Sequence, residues 1–251
     1  MTATRRAFLR LVSIAPLAFS GAAGAGTAVI GRLIREAPSG AVQPRIEFIS
    51  RALLGVRYQA DTLIGGPWQA ERLVMREDAF DCVTYCETVL AAALSRNVEE
   101  FPSMLRRIRY AHDEVRWSDR NHYFADWIAR NADKGICFAL AISPAEQITK
   151  TVHGVLGPRP ESFVASTSAA LIANAQKLRA GDIVGFVSRQ THLDFFHVGF
   201  IAFARNGRLL LRHASQSHGR VLDEDMRSFL AANGVRYVSV LRARDSQPGE
   251  G

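Results

Sequence analysis

Internal repeats and low-complexity tracts are absent from this sequence of 251 residues, which argues against repeat and fibrous architectures. Cysteine is scarce, and an odd count of three excludes a fold in which every cysteine is paired. Charged residues make up 22% of the chain and hydrophobic residues 48%, which is the composition of an ordinary globular protein. We therefore expect one well-buried domain, with an insertion as the alternative.

Long basic runs are also lacking, although the net charge is +7. Only three of the 31 basic residues are lysine, and part of the arginine excess lies within the first 35 residues. The longest basic run, residues 105–109, has a helical pattern rather than that of a strand. The sequence therefore gives little indication of nucleic-acid binding, while attraction to an acidic surface or polymer is compatible with its charge.

The first 25 residues have the features of a targeting signal. Arg5-Arg6, followed by Phe8-Leu9, resembles the twin-arginine export motif, and residues 11–31 carry no charge. Ala23-Gly24-Ala25 is a small-x-small cleavage motif, which predicts cleavage after Ala25. The alternative is an uncleaved membrane anchor, although Pro16 and many small residues make this segment a poor bilayer helix. Both interpretations place the protein outside the bacterial cytoplasm, in the periplasm, with membrane contact only through an uncleaved leader.

An exported chain with three cysteines must leave at least one of them free. Cys82 and Cys86 would lie one turn apart on a helix, which is an awkward geometry for a disulfide bond. We interpret Cys86 and Cys137 as packing residues, with a bridge between them left as an open alternative.

The chain divides into a signal, a spacer over residues 26–44, one domain over residues 45–244 and a polar tail over residues 245–251. Apolar periodicity predicts helices in the first half of the domain, and alternation predicts strands in the second half, so the fold class is α+β. Residues 143–178 have a helical or irregular pattern that is broken by glycine and proline. The predicted helices are residues 45–55, 82–95 and 103–112, and the predicted strands are residues 183–187, 195–203, 209–214 and 235–241.

Asp81-Cys82 stands at the start of the most apolar predicted helix. Asp81 is a natural N-cap, since its carboxylate can accept from first-turn amides. Cys82 then lies where unpaired N–H groups and the helix dipole favour an anion, which predicts a lowered thiol pKa. The alternative is that Cys82 is a small buried hydrophobic residue, as many free cysteines are.

Residues 117–127 concentrate aromatic and polar side chains of the kinds that line ligand sites. Tyr123, Phe124 and Trp127 have helical spacing, which favours a role in the core. For Asn121 and His122 we expect positions in a pocket wall.

Two histidines flank a predicted hairpin, so the length of its loop decides which way they point. A two-residue loop, Asn206-Gly207, would put His197 and His213 on opposite faces of the sheet. A three-residue loop, residues 205–207, places His213 opposite Gly199, and the histidines then share a face as diagonal neighbours roughly 7–8 Å apart at Cα. Gly199 would leave room for a hydrogen bond between them. We predict the three-residue loop.

Four short motifs follow one another along the chain: Asp81 to Thr84, Gly181 to Ile183, His197 to Gly199 and His213 to Ser215. In this order they resemble the NlpC-type, papain-like cell-wall peptidases and amidases, and more closely their N-acetylmuramoyl-L-alanine amidase-like branch. The resemblance extends over about residues 45–242. One departure is Val83-Thr84, where better-known members have Ser-Gly. Two further stretches, Arg120 to Phe124 and Asp194 to Gly199, support the closer resemblance.

This resemblance implies a papain-like fold with Cys82 as nucleophile, His197 as general base and His213 as the residue that orients His197. It also implies that Asp81 helps to bind the free amine of a peptide. Tyr58, Thr84 and Ser215 are expected to contribute to the substrate-binding surface, together with Asn121 and His122. No metal or cofactor is expected in that site.

The predicted activity is cleavage of an amide bond in peptidoglycan or muropeptides, preferably the bond between the lactyl group of muramic acid and L-alanine. A γ-D-glutamyl-diamino acid endopeptidase of the same fold is the nearest alternative. A zinc-dependent hydrolase with Cys82, Cys86, His197 and His213 as ligands also fits the residue types. The non-enzymatic alternative is a muropeptide-binding module. The oligomeric state is left open by the sequence.

Overall fold

A computed structural model of the protein describes residues 27–154 and 157–245, and within them it shows a mixed α+β fold, as predicted. The helices are α1 (Ala28–Glu36), α2 (Val42–Ala52), α3 (Cys82–Leu94), α4 (Phe101–Arg109), α5 (Phe124–Asp133), α6 (Ser168–Ala173) and α7 (Met226–Ala232). The strands are β1 (Arg57–Tyr58), β2 (Ile64–Gly66), β3 (Gln69–Arg72), β4 (Ala79–Phe80), β5 (Cys137–Ala139), β6 (Ala145–Gly154), β7 (Gly157–Thr167), β8 (Ile183–Val187), β9 (Phe195–Phe203), β10 (Leu209–Ser215), β11 (Arg220–Asp225) and β12 (Tyr237–Ala243).

Ten of these strands form one sheet in the order β4-β1-β11-β10-β9-β8-β12-β7-β6, with β5 also paired to β12. The pairing is antiparallel except between β1 and β4. β2 and β3 form a separate two-stranded hairpin. The centre of the large sheet is the run of β8, β9 and β10, which carries both histidines of interest.

Two apolar clusters cover the two faces of the sheet. Val198 and Phe200 of β9 belong to the cluster that surrounds α3. Ile201 of β9 and Leu211 of β10 belong to the second cluster, which includes α7. Because side chains alternate along a strand, neighbouring residues of β9 face opposite clusters. The side chain of Val198 therefore faces the α3 side, and that of His197 faces the α7 side, where it lies against Phe229.

Helix α3 begins at Cys82, as predicted, and is held there by a reciprocal cap. The Thr84 backbone N–H donates to Asp81 Oδ1 (2.8 Å), and the Asp81 N–H donates to Thr84 Oγ1 (3.0 Å). Every residue from Thr84 to Leu94 is buried, so α3 is enclosed on all sides. A capped helix start at the edge of the core gives Cys82 a fixed position.

The interpretation of residues 26–44 as a spacer is wrong for the described residues. Helix α1 lies within this range and buries Ile30, Leu33 and Ile34 in the α3 cluster, and α2 already begins at Val42. These three residues have the i, i+3, i+4 spacing of an amphipathic helix, a short signal that the glycine, alanine and arginine around it obscure.

The expectation of helical or irregular structure over residues 143–178 is also wrong for most of that range. β6 and β7 form a long hairpin with ten residue pairs, and only α6 and a short 3₁₀ helix at Ala175–Lys177 are helical as expected. In β7 burial alternates residue by residue from Gly157 to Phe163, the period of a strand. Gly154 and Gly157 pair with each other at the ends of the two strands, and they do not interrupt helices.

The export signal predicted for residues 1–25 and nearly all of the predicted polar tail lie outside the described residues. Asp245, the first residue of that tail, accepts from the backbone N–H of Val42 (2.7 Å). Over residues 27–154 and 157–245 there is no helix with both the length and the hydropathy needed to cross a membrane.

Candidate active site

The hairpin between β9 and β10 has the predicted three-residue loop. The backbone N–H of Ala204 donates to Arg208 O (2.9 Å), and Gly207 adopts a left-handed φ of 78°. Pairing then runs from Leu209 opposite Phe203 to Arg212 opposite Phe200. The same register places the next residue, His213, opposite Gly199, so the prediction about the loop is confirmed.

The two histidines are joined by a hydrogen bond of 2.6 Å between His197 Nε2 and His213 Nδ1. Gly199 makes this approach possible, because a Cβ on it would stand 3.0 Å from His213 Cβ and 2.7 Å from Leu211 Cδ1. Larger residues would therefore displace the His213 strand. The predicted contact between the histidines is present.

Glu224 extends this pair and was missed by the sequence analysis. Its Oε2 lies 3.1 Å from His213 Nε2. β11 pairs with β10 so that Glu224 stands opposite Leu211, diagonal to His213. Leu222 stands opposite His213, so Glu224, two positions further along β11, lies on the same face of the sheet as His213. The sequence reveals this contact only after residues 220–225 are assigned as a strand in this register.

The chain of contacts fixes which nitrogen of each ring carries its proton. A carboxylate only accepts hydrogen bonds, so His213 Nε2 donates to Glu224 and His213 Nδ1 is left as an acceptor. His197 Nε2 must then donate to His213 Nδ1. His197 Nδ1 is consequently unprotonated, and it is the atom available to take a proton from a nucleophile.

Apolar surroundings keep both histidines neutral. The Phe229 ring of α7 lies 5.5 Å from each imidazole between ring centroids, and Phe186 lies 6.1 Å from that of His197. Burial, with the neighbouring His213, lowers the pKa of His197 to about 3. Burial, with the nearby His218, lowers the pKa of His213 to about 4. At neutral pH the pair has no charge.

The sulfur of Cys82 reaches the strand that carries His197. Backbone N–H groups of Val198, Cys82 and Val83 lie close enough to the thiol to lower its pKa. Burial and then the Asp81 carboxylate act in the opposite direction and outweigh them, so that the pKa of Cys82 is raised to about 12. The predicted low thiol pKa is therefore wrong, because loss of hydration dominates over the helix N-terminus.

Tyr58 and Asp81 lie on the same side of the site as Cys82. Asp81 Oδ1 is used by the cap of α3, while Oδ2 accepts from Thr62 Oγ1 at 3.4 Å. The pKa of Tyr58 is raised by burial and then by the nearby Cys82, Asp81 and Asp61. Thr84 contributes its hydroxyl to the cap, where it donates to Asp81 Oδ1 (2.9 Å). Its demonstrated role is thus to hold Asp81.

Ser215 lies at the end of β10, two residues beyond His213, and is buried. Its Oγ contacts His218 Nδ1 (3.0 Å) and Ser217 Oγ (3.1 Å). Because His218 also affects the pKa of His213, this loop lies beside the histidine pair.

Asn121 and His122 have other surroundings. Asn121 donates to Ile108 O (3.0 Å) and accepts from Arg130 (2.9 Å), so both ends of its amide are used within the protein. His122 donates to Trp117 O (2.7 Å) and borders a small cavity with charged walls. Neither Cys82 nor the two histidines of the pair line that cavity.

The aromatic residues after them belong to the core, as expected. Phe124 and Trp127 are buried and stack with ring centroids 5.2 Å apart. Tyr123 is only half-buried, with the guanidinium of Arg159 over its ring.

The other two cysteines pack in the α3 cluster. Cys86 and Cys137 are buried and free, so the alternative of a bridge between them is not realised. Burial raises the pKa of both thiols.

In the part of the chain that the structure describes, no group of three or more His, Cys, Asp or Glu side chains is arranged to hold a metal ion. The four-ligand zinc arrangement is therefore not formed.

Neutral, buried histidines should make the fold sensitive to acid. Unfolded histidine binds protons near pH 6.5, whereas His197 and His213 do so near pH 3 and 4, so the unfolded state takes up more protons between these values. The free energy of unfolding should therefore be independent of these two histidines above pH 6.5. It should decrease on acidification below that pH, by up to about 1.4 kcal/mol per pH unit for each histidine.

Urea unfolding at steps from pH 7.5 to 4.5 measures this dependence. His213→Gln should reduce the slope, whatever its effect on absolute stability, and His192→Gln in an exposed loop should leave the slope unchanged. Equal slopes in all three proteins would contradict neutral burial.

Comparisons with known proteins identify a family and several solved structures with a similar fold. The model of the AmiA-like family, described as N-acetylmuramoyl-L-alanine amidase-like, matches residues 48–235. Protein LPG0564 from Legionella pneumophila has a similar fold, with a TM-score of 0.76 and 21% identity over 88% of this chain and 95% of that one. An N-acetylmuramoyl-L-alanine amidase from Bacteroides uniformis has a TM-score of 0.71 and 25% identity over 80% and 99% of the respective chains. No curated protein matches the sequence.

Proposed function

Since the chain belongs to the AmiA-like family of N-acetylmuramoyl-L-alanine amidase-like proteins, we propose that it is a cysteine amidase that hydrolyses the bond between N-acetylmuramic acid and L-alanine. One observation carries the cysteine mechanism. A thiol at the start of a buried helix lies against the strand of a histidine pair whose tautomers leave His197 Nδ1 free. Family membership supplies the class of substrate, peptidoglycan.

The proposed reaction starts from a neutral thiol and a neutral imidazole. Cys82 attacks the amide carbon while His197 Nδ1 takes the thiol proton, so the sulfur never has to exist as a buried free thiolate. Coupling of these two events follows from the raised pKa of Cys82 and the lowered pKa of His197. Negative charge passes to the carbonyl oxygen, and the N–H groups of Cys82 and Val83 at the helix start are the proposed donors to it.

His197 then returns the proton to the leaving amine of L-alanine, and a thioester to the lactyl group remains on Cys82. Water attacks this thioester with the same imidazole as base, which releases the muramic acid product and restores the thiol. Each proton transfer makes His197 cationic for a time. His213 and Glu224 stabilise that cation through the hydrogen bonds already in place.

Asp81 Oδ2 is the proposed contact for a substrate amine or amide, because Oδ1 is occupied by the helix cap. Tyr58 lies close enough to share this contact. We also propose that the domain is a member of the NlpC-type, papain-like group. A cysteine at the N-terminus of a central helix, packed on an antiparallel sheet with the histidines on neighbouring strands, supports this placement.

Export through the twin-arginine route is the proposed way to the periplasm, on the basis of Arg5-Arg6 and the uncharged segment after them. Recovery of the protein in the periplasmic fraction supports this route, provided that Arg5→Lys with Arg6→Lys keeps it in the cytoplasm. Export of the double variant would contradict it.

Digestion of purified muropeptides, followed by mass spectrometry, tests the reaction. We expect a free peptide that begins with L-alanine and a disaccharide that retains its lactyl group. Products that result from cleavage between γ-D-glutamate and the diamino acid would instead identify an endopeptidase. Binding without products would identify a muropeptide-binding module, and loss of activity on treatment with a chelator would reveal a zinc enzyme.

A further inference from the structure

Trp68 is 99% exposed, whereas the other exposed large apolar side chains of the described residues are at most 46% exposed. It belongs to the two-residue turn, Pro67-Trp68, that joins β2 and β3 between the pair Gly66 and Gln69. An indole gains a large free energy when it is buried, and here none of that gain contributes to folding. The residue is therefore unexplained by the fold itself.

The hairpin that carries Trp68 is firmly attached to the body of the protein. The Glu71 carboxylate is 2% exposed and accepts from Tyr110 Oη (2.9 Å) and Arg120 Nη1 (3.0 Å). Gly65 packs on the same carboxylate, since a Cβ there would lie 1.8 Å from Glu71 Oε2, and its φ is +145°. An anchored hairpin holds its turn in one place, which lowers the entropic cost of using it for binding.

The segment that leads into the hairpin contacts the residue before the proposed nucleophile. Thr62, two residues before β2, contacts Asp81 Oδ2 (3.4 Å), and Asp81 directly precedes Cys82. Trp68 is six positions after Thr62, so the two Cα atoms lie at most roughly 20 Å apart. A glycan of a few sugar rings that extends from the scissile bond can therefore reach it.

We propose that Trp68 stacks against a pyranose ring of the glycan, at or next to the muramoyl residue whose amide is cleaved. This inference rests on the proposed function. The CH-rich face of a pyranose is apolar and close in size to an indole, while its hydroxyl rim can stay hydrated. A single exposed ring in the turn, followed by Gln69, offers enough apolar surface for one sugar and too little for a stable protein interface.

Kinetics with two substrates test the stacking. One is an N-acetylmuramoyl-L-alanyl peptide, and the other is the D-lactoyl-L-alanyl peptide, which keeps the same amide but has no sugar ring. Trp68→Ala should raise KM for the first about tenfold with little change in kcat, and should leave the second unaffected. Trp68→Phe should preserve most of the preference for the sugar, and Val164→Ala serves as a control at an exposed apolar position on β7. Equal effects of Trp68→Ala on both substrates would overturn the proposal.

A binding measurement separates this proposal from the proposed function. In Cys82→Ala protein, the disaccharide of N-acetylglucosamine and N-acetylmuramic acid should change tryptophan fluorescence saturably, and Trp68→Phe should abolish the change although Trp117 and Trp127 remain. If the wild type hydrolyses neither substrate, the proposed function fails, while this titration still tests Trp68. A fluorescence change with vesicles of phosphatidylcholine and phosphatidylglycerol but none with the disaccharide would point to a membrane contact and overturn the proposal.

Discussion

Cys82→Ser should reduce the rate of muropeptide hydrolysis by at least about 10⁴-fold, since removal of a nucleophile has that order of effect in hydrolytic triads. The serine hydroxyl is much less acidic and less nucleophilic than a thiol, and His197, with a lowered pKa, is too weak a base to activate it. The fold should be unaffected, because the helix cap depends on Asp81 and Thr84. Comparison of turnover with circular dichroism and urea unfolding separates the two effects.

Cys86→Ala is the matched control, because Cys86 lies one turn further along α3 and is buried in the core. This variant should lose some stability and keep its turnover. Retained turnover in Cys82→Ser would rule out the thiol mechanism and would favour a metal-dependent reaction. Alkylation of Cys82 in the free enzyme is expected to be slow at neutral pH, since burial raises its pKa to about 12, so fast alkylation would contradict the neutral resting pair.

The sequence was sufficient for the parts of the fold whose signals are local. Asp81 as cap, the apolar run after it and the loop before Arg208 each depend on a few neighbouring residues, and all three predictions were confirmed. The contact between His197 and His213 followed from the loop length alone, because register determines which side chains share a face.

Features that depend on distant parts of the chain were not predictable in this way. The pKa of Cys82 is decided by how completely the sheet and helices exclude water, which the helix-start argument does not contain. Glu224 acquires its role only from the pairing of β11 with β10. Likewise, the α1 segment and the β6–β7 hairpin have weak local patterns, and their structure is stabilised by contacts with the core and between strands.

Glu224→Gln should lower kcat by about 10²- to 10⁴-fold with a small change in KM, by analogy with the loss caused when the acid of a serine triad becomes an amide. The introduced amide could donate its N–H to His213 Nε2, which would move the His213 proton to Nδ1. His213 would then donate to His197 Nε2, and the His197 proton would have to lie on Nδ1, the atom that must accept from Cys82. The variant would keep the shape of the site, but each histidine would carry its proton on the other ring nitrogen.

Glu224→Asp keeps an acceptor at this position and should recover part of kcat, which a purely steric role for Glu224 would not predict. Nitrogen chemical shifts of ¹⁵N-labelled histidine report the tautomers directly, and Glu224→Gln should exchange the protonated nitrogen in both rings. Because both rings stay neutral, the change in rate should persist across the pH range from about 6.5 to 8.5. Unchanged histidine tautomers together with full activity would mean that the contact between Glu224 and His213 has no part in catalysis.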